Sequence, residues 1–403
     1  MNVIFLTMSR ITAISNRGIY TDLMRKFRDE GHIVYIVTPF ERFMGKPTEL
    51  VEREGVHVLG VKTLNLQKTN TIEKGIGQVL VEHQFKRAIR KYLSCIHFDL
   101  ILYSTPPVTF PSVIRYLKKT NPEAKTYLLL KDIFPQNAVD IGMMSKTGLK
   151  GILYRFFRKK EKMLYSSSDF IGCMSPANVD YVKRHNPEIM SDRVEVAPNS
   201  IELIHSDSVE RINKDSVRFK YGLPIDKPIF IYGGNLGKPQ GISFLIDCLD
   251  ANSNRDDCFF IVVGNGTERK KVVEWYETKK PKSAAVLESL PKDDYDTLVA
   301  SCDVGLIFLD YRFTIPNFPS RLLPYLENKM PILAATDRNS DTGKLAEDNG
   351  YGYWCESNSV MAFTTILDKM IHSDRKAMGE RGYEYLCKNY QVSNTYETII
   401  KHV

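Results

Sequence analysis

Three short segments of this sequence have the residue types and spacing to hold a phosphate-bearing ligand. The apolar run Ile229-Phe230-Ile231-Tyr232 passes directly into Gly233-Gly234-Asn235-Leu236-Gly237-Lys238-Pro239-Gln240-Gly241, and a helical pattern opens at Ile242. A glycine-rich turn from strand to helix lets backbone N–H groups approach an anion, and the helix dipole adds partial positive charge. Lys238 brings a full charge to the same loop. A tight turn that needs glycine for steric reasons would look the same, and the segment alone does not choose. A second loop, Gly264-Asn265-Gly266, follows the apolar run 259–263 and precedes another helical stretch. Neither loop is G-x-G-x-x-G, and no G-K-[ST] occurs, which disfavours an NAD enzyme or an ATPase. The third segment is Pro319-Ser320-Arg321-Leu322. Pro-Ser is a helix-start signal with Ser320 as N-cap, and an arginine in an exposed first turn would offer bidentate donors to a diphosphate. The alternative is a capped structural helix whose arginine is solvated.

Such loops act only if strand ends carry them. Apolar runs at 3–7, 32–38, 56–61, 98–104, 126–130 and 170–174 alternate with helical stretches in the first half, the second run ending at Pro39. The segment 201–215 is polar and aperiodic, as a linker is. The pattern restarts with runs at 228–232, 259–263, 284–288, 304–309 and 331–335, and the last 30 residues read as helix broken near Tyr390-Gln391. Strands alternating with helices predict an α/β chain with parallel sheets. The expected organisation is two Rossmann-like domains facing a central cleft, 1–203 and 204–385. A C-terminal helix, 386–403, is expected to pack back toward the first domain. Ligands of open α/β sheets bind at the carboxyl ends of the strands, where both glycine loops fall.

Bulk properties narrow the class. The 403 residues exceed one ordinary core. No stretch approaches the ~20 apolar residues of a membrane span. The N-terminal run lacks a basic region before it and reads as a buried strand, not a signal peptide. Seven scattered cysteines without C-x-x-C point to a reducing cytosol and away from zinc or a disulfide framework. Lys292-Asp293-Asp294-Tyr295-Asp296 superficially looks like a metal-binding D-x-D, but it follows Pro291 and opens a helix, so capping and dipole complementation explain it better. The net charge of +7 suits phosphates, polyanions or an anionic membrane without selecting among them.

The order of strand, glycine loop, G-N-G loop and P-S-R helix start resembles glycosyltransferase family 4, the retaining enzymes of the GT-B fold. The likeness is to the branch that builds bacterial capsular, O-antigen and exopolysaccharide repeat units. Gly234-Asn235-Leu236-Gly237 with Gln240 looks like that branch's glycine loop, and Pro319-Ser320-Arg321-Leu322 with Pro331 like its Pro-Ser-Lys/Arg-Leu segment. In the first half, Leu23 through Gly31-His32, Lys131-Asp132-Ile133-Phe134-Pro135, Met174-Ser175 and Ala197-Pro198-Asn199-Ser200 match further family segments in order. The family's Glu-x7-Glu positions are Pro316 and Pro324 here; Glu327 and Asp310 lie off register. The loop's usual Arg and Lys correspond to Asn235 and Gln240, and of the glycines after the first strand only Gly18 remains.

The resemblance implies a retaining transferase that needs no metal or organic cofactor and moves a hexosyl or N-acetylhexosaminyl group from a nucleoside-diphosphate sugar, expected to be a UDP-sugar. The acceptor it implies is a glycan or polyprenyl-diphosphate-linked sugar in surface polysaccharide synthesis. It implies Lys131 and Asp132 as catalytic residues. Gly233, Gly234, Asn235, Lys238, Gly264, Asn265, Pro319, Ser320, Arg321 and Leu322 form the implied donor site, with Gly18 and Asn199 on the acceptor side. For Lys131-Asp132 the residues alone also allow a surface ion pair. Two other readings use the same domains: a UDP-sugar 2-epimerase-like enzyme, and a non-catalytic nucleotide-sugar-binding subunit of a transferase complex. Nucleic acid is not an expected partner.

Leu149, Ile152, Leu153, Phe156, Phe157, Met163 and Leu164 fall at helical spacing, and seven basic residues face one acid between Lys146 and Lys162. The segment 146–164 therefore reads either as a peripheral contact with the anionic inner face of the cell membrane or as a sheet-covering helix with a solvated basic face. The expected location is the cytoplasm, at or near that membrane face.

Overall fold

The computed structural model describes residues 1–66, 71–203 and 213–403. The chain divides into two compact units, Met1–Glu202 joined by Gln391–Val403, and Leu203–Tyr390. The predicted linker 201–215 falls mostly on residues 204–212, outside those described, and Lys214–Lys220 is already helix.

Unit 1 is built on β1 (Asn2–Leu6), β2 (Ile33–Glu41), β3 (Glu49–Arg53), β4 (Val56–Thr63), β5 (Leu100–Ser104), β6 (Lys125–Leu130), β7 (Phe170–Cys173) and β8 (Val194–Val196). Their order in the sheet is β3-β4-β2-β1-β5-β6-β7-β8. Val3, Ile4, Phe5 and Leu6 are all buried, as continuous apolar runs must be in a sheet covered on both faces. The sheet is not wholly parallel. β3, which the sequence reading missed, pairs antiparallel with β4 through a turn at Glu54-Gly55, both at positive φ. Pro39 does not end β2 as expected. β1 pairs with β2 only over Ile33–Val37, so Pro39 lies past that neighbour and pairs with Val61 of β4 alone. On that free side its missing N–H breaks no ladder bond.

The last thirteen residues belong to unit 1. Val392 and Ile399 of the helix Val392–Ile400 enter the same core as Phe5, Phe27 and Ile36, with Tyr396 packed against it. Beyond that helix, Lys401 and His402 both meet the Glu195 carboxylate, at 2.7 and 2.8 Å.

Unit 2 carries β9 (Ile229–Asn235), β10 (Phe259–Asn265), β11 (Ala284–Leu287), β12 (Val304–Phe308), β13 (Ile332–Thr336) and β14 (Gly352–Glu356), all parallel, in the order β11-β10-β9-β12-β13-β14. β14 has no counterpart in the sequence reading, because Gly352-Tyr353-Trp354-Cys355-Glu356 is only half-buried and breaks the apolar pattern. The chain leaves β9 in one direction and returns to β12 on its other side, so the strand order reverses between β9 and β12. That reversal opens a crevice at the carboxyl ends of the two strands.

Candidate functional site

The glycine segments are strand ends rather than loops. β9 continues through Gly233, Gly234 and Asn235, and β10 through Gly264 and Asn265, with Gly234 opposite Gly264 and Asn235 opposite Asn265. The two backbones approach so closely that a Cβ on Gly264 would sit 1.9 Å from the Gly234 carbonyl oxygen, and one on Gly266 2.4 Å from that of Leu236. Several N–H groups expected to face an anion are already engaged. Gly233 N–H donates to the Tyr325 hydroxyl at 3.2 Å, Leu236 N–H to the Asn265 carbonyl at 2.9 Å, and Gly237 N–H to Gln240 Oε1 at 3.3 Å. The glycines thus serve close packing first, and these three amides are not part of an anion cradle. Gly234, Asn235 and Lys238 remain exposed at the crevice rim, where the Asn235 amide donates to Gln240 at 2.9 Å.

Arg321 supplies what the amides do not. Its guanidinium carbon lies 4.4 Å over the ring of Tyr232, the residue before the first glycine, and a Cβ on Gly234 would come within 3.8 Å of its Nη2. Its Nη1 is shut off from solvent and donates to no acceptor. A guanidinium cannot shed its proton, so a buried donor without an acceptor here is a feature to be satisfied by something else. The expected capping arrangement is absent: the helix Leu322–Glu327 is six residues long, begins after Arg321, and has no side-chain cap. Ser320 is exposed and contributes only its carbonyl, to Leu323 N–H. Pro319 accepts similarly from Leu322 N–H, and the buried Leu322 side chain is core. Neither does a side chain cap the helix Lys292–Ala300; its first-turn Asp293 and Asp294 suit the dipole, and Asp294 pairs with Lys220 at 2.9 Å.

Three tyrosines hold this corner, and the sequence reading missed them. Tyr232 donates to the Asn235 carbonyl at 2.8 Å. Tyr325 accepts from Gly233 and donates to Ile231 at 3.2 Å, while Tyr295 packs where a Gly233 Cβ would have to be. The one available signal was Tyr325 four residues beyond Arg321. Asp310, just past β12, lies at the same crevice with its N–H on the Pro239 carbonyl, but Arg312 forks its carboxylate at 2.8 and 2.7 Å. Glu327 is buried, and Pro316 and Pro324 offer no polar group to a sugar.

In unit 1, Lys131 and Asp132 follow β6 directly, and both N–H groups reach Thr105 Oγ1, at 3.0 and 3.3 Å. They are not an ion pair. Lys131 Nζ donates to the Ala197 carbonyl at 3.0 Å, and Asp132 Oδ1 accepts from the Asn137 amide at 2.6 Å. Burial brings the Lys131 ammonium down to about 7 and pushes the Asp132 carboxyl up to about 6. Lys131 and Asn199 line one small cavity with Tyr20, Ser200 and Thr395, and the buried Asn199 Oδ1 there has no hydrogen-bond partner. Gly18 is elsewhere occupied: its N–H donates to buried Asp22 at 2.9 Å, and Asp22 also holds Arg25 and the Glu202 N–H. Among the described residues no group of three or more His, Cys, Asp or Glu side chains could hold a metal ion.

Comparison with known proteins meets this geometry. Residues 213–385, the strands and crevice of unit 2, match the family model described as Glycosyl transferases group 1. The chain is 23% identical to the probable glycosyltransferase WbjE of Pseudomonas aeruginosa over 333 residues, 80% of this chain and 78% of that one. It is 23% identical to the putative colanic acid biosynthesis glycosyl transferase WcaI of Escherichia coli K12 over 268 residues, 66% and 64% of the two chains. Among solved structures, Anabaena HepE in complex with UDP and glucose superimposes with a TM-score of 0.67 at 14% identity, covering 100% of this chain and 99% of that one. The chain is a GT-B glycosyltransferase related to the family 4 enzymes of bacterial surface polysaccharides.

The transferase acts on a nucleotide-sugar donor. The close approach of its strand ends gives a direct test of why the glycines are there. Gly264→Ala puts a Cβ on the Gly234 carbonyl at a φ of +153, and is expected to lower stability by about 2–4 kcal/mol in the absence of any ligand. Urea midpoints read the difference. A stability equal to wild type, with only nucleotide binding lost, would show that the glycine serves the ligand instead.

Proposed function

We propose that the enzyme is a retaining transferase that moves a hexosyl or N-acetylhexosaminyl group from a UDP-sugar to a glycan or polyprenyl-diphosphate-linked acceptor in bacterial surface polysaccharide synthesis. The observation that carries this is the buried Arg321 Nη1 without an acceptor, on a guanidinium that lies near Gly234 at the end of β9. A departing nucleoside diphosphate gathers negative charge while the sugar becomes oxocarbenium-like, and preorganised donors are most effective where charge develops. Arg321 and Lys238 take that role. In a retaining transfer on one face, the leaving phosphate accepts the acceptor's proton, so no carboxylate base is required. Lys131 is assigned as a donor to the sugar's oxygens on the acceptor side, with Asp132 orienting the sugar and Asn199 beside Lys131. The acceptor class is supported by the name of the relative WcaI, a putative colanic acid biosynthesis glycosyl transferase, and the base by the nucleotide in the HepE complex.

The helix Gly148–Ser166 supports a peripheral membrane contact for 146–164. Leu149, Ile152, Leu153 and Phe156 are 87, 58, 49 and 39% exposed, whereas Phe157, Leu164 and Tyr165 are buried. No helix of the described residues is long and apolar enough to cross a membrane.

The test is a panel of sugar nucleotides scored by thermal shift, slow hydrolysis and product anomer. A UDP-sugar is expected to stabilise the protein and to release sugar with its anomeric configuration kept. Conversion of the donor to its 2-epimer would identify an epimerase, and binding without any turnover a carrier subunit.

A further inference from the structure

Outside the donor and acceptor residues, unit 1 gathers cations round a depression whose wall has no carboxylate. Lys86 and Arg90 of the helix Thr71–Tyr92 and Arg115 and Lys119 of the helix Pro111–Thr120 line about 490 Å³ of open space, with Ser112 and Tyr116 between them. Among the described residues none of the four has an ion-pair partner. Lys86 Nζ lies 5.7 Å over the Tyr116 ring, and Arg115 Nε reaches only the Pro111 carbonyl, at 3.3 Å. Lys118, between Arg115 and Lys119 on the second helix, instead meets Asp169, and Glu82 on the first meets Lys160. Four uncompensated cations repel one another, and an anion between them reverses the sign of that term.

Hydrogen bonds link the depression to the helix that carries the exposed apolar row. Glu82 Oε1 accepts from Ser112 N–H at 2.5 Å, and its Oε2 holds Lys160 at 2.6 Å. Lys160 stands one helical turn beyond Phe156, the last residue of the row, so the row and the basic depression adjoin through the Lys160–Glu82–Ser112 link. A soluble polyanion has no use for the apolar half of this surface, whereas a bilayer engages both halves at once. We propose that the Lys86–Arg90–Arg115–Lys119 depression is a phosphate-headgroup site for an anionic bilayer into which Leu149, Ile152 and Phe156 insert. The proposal rests on the peripheral reading of 146–164 and adds to it a site for the lipid phosphate.

Flotation of the full chain with vesicles of phosphatidylcholine, with and without phosphatidylglycerol, tests it. Wild type is expected to prefer the anionic vesicles and to lose that preference at high salt. The fourfold variant Lys86→Gln, Arg90→Gln, Arg115→Gln, Lys119→Gln is expected to bind them roughly several hundredfold more weakly, since each cation near such a surface contributes about fivefold and the factors multiply. Its UDP binding, read in unit 2, stays at the wild-type value. Ile152→Ser with Phe156→Ser is expected to weaken binding to both kinds of vesicle. Wild-type binding by the fourfold variant, with the apolar variant defective, overturns the headgroup site and leaves the peripheral reading standing. No vesicle binding by wild type, with retention on heparin, overturns both in favour of an acidic polysaccharide.

Discussion

Arg321→Ala is expected to raise the dissociation constant for UDP by roughly ten- to a hundredfold, the equivalent of about 1.5–3 kcal/mol for a charge-assisted hydrogen bond. The argument is local. The guanidinium is held over Tyr232 at 4.4 Å, its Nη1 is buried with no acceptor, and its Nη2 lies near the exposed end of β9 at Gly234. A diphosphate at that strand end would draw on a guanidinium already held in place over the ring, and preorganisation of this kind is what converts a contact into affinity. Losing the cation over the ring is expected to lower stability by about 1–2 kcal/mol as well. Calorimetric titration should therefore be made well below the melting temperature, where both proteins are folded. Arg321→Lys separates charge from shape, because an ammonium keeps the charge and cannot form the planar fork; binding between the two extremes is expected. UDP affinity within twofold of wild type in the alanine variant would remove Arg321 from the site.

Lys131→Ala is expected to leave UDP affinity unchanged and to lower turnover by about 10²–10³-fold, the usual loss for one preorganised charge-stabilising donor. Its pH dependence is the sharper test. Burial brings the Lys131 ammonium to about 7 and the Asp132 carboxyl to about 6, so the lysine is charged below 7 and the aspartate above 6. Both are charged together only between these values. A bell-shaped kcat/KM profile with its maximum near pH 6–7 is expected if the assigned roles need both charges. Lys131→Arg keeps its charge throughout and should remove the alkaline limb, while Asp132→Asn should remove the acid limb. Stability follows the same shift. The folded chain gives up the Lys131 proton near 7 and the unfolded chain near ~10.4, so the unfolded state binds more protons in between. The urea midpoint of wild type relative to Lys131→Met is accordingly expected to rise from pH 7 toward 10. A flat difference would mean that the ammonium is not buried as described.

The periodic segments of this protein were legible from sequence alone, because a strand covered on both faces must be apolar along its whole length. Val3 to Leu6, Phe230 to Tyr232 and Phe260 to Val263 meet that demand and announce their strands. The helix Gly148–Ser166 and the break before Val392 were equally local matters of spacing and propensity. The order of motifs along the chain was sufficient to suggest a transferase, and the matched region 213–385 contains the same glycine and Pro-Ser-Arg segments.

What those segments do was decided by contacts far apart in sequence. Whether Gly233, Leu236 and Gly237 could offer their amides to a ligand depended on Tyr325, Asn265 and Gln240. The first of these lies 92 residues from its partner and is brought there by the neighbouring placement of β9 and β12. Pro39 was misread because its tolerance depends on where β1 ends, which only the register shows. Arg321 was read as a donor in an exposed first turn or else as a solvated arginine, and packing instead laid it over Tyr232 with one donor buried. Of the segments on which the functional reading began, the glycines change role. Backbone approach uses the glycines, and the low-dielectric corner they help to build holds the arginine. A pattern of residue types records what each segment is suited to, but burial and partnership are properties of the folded neighbourhood, and here they determine which donor is left without a partner.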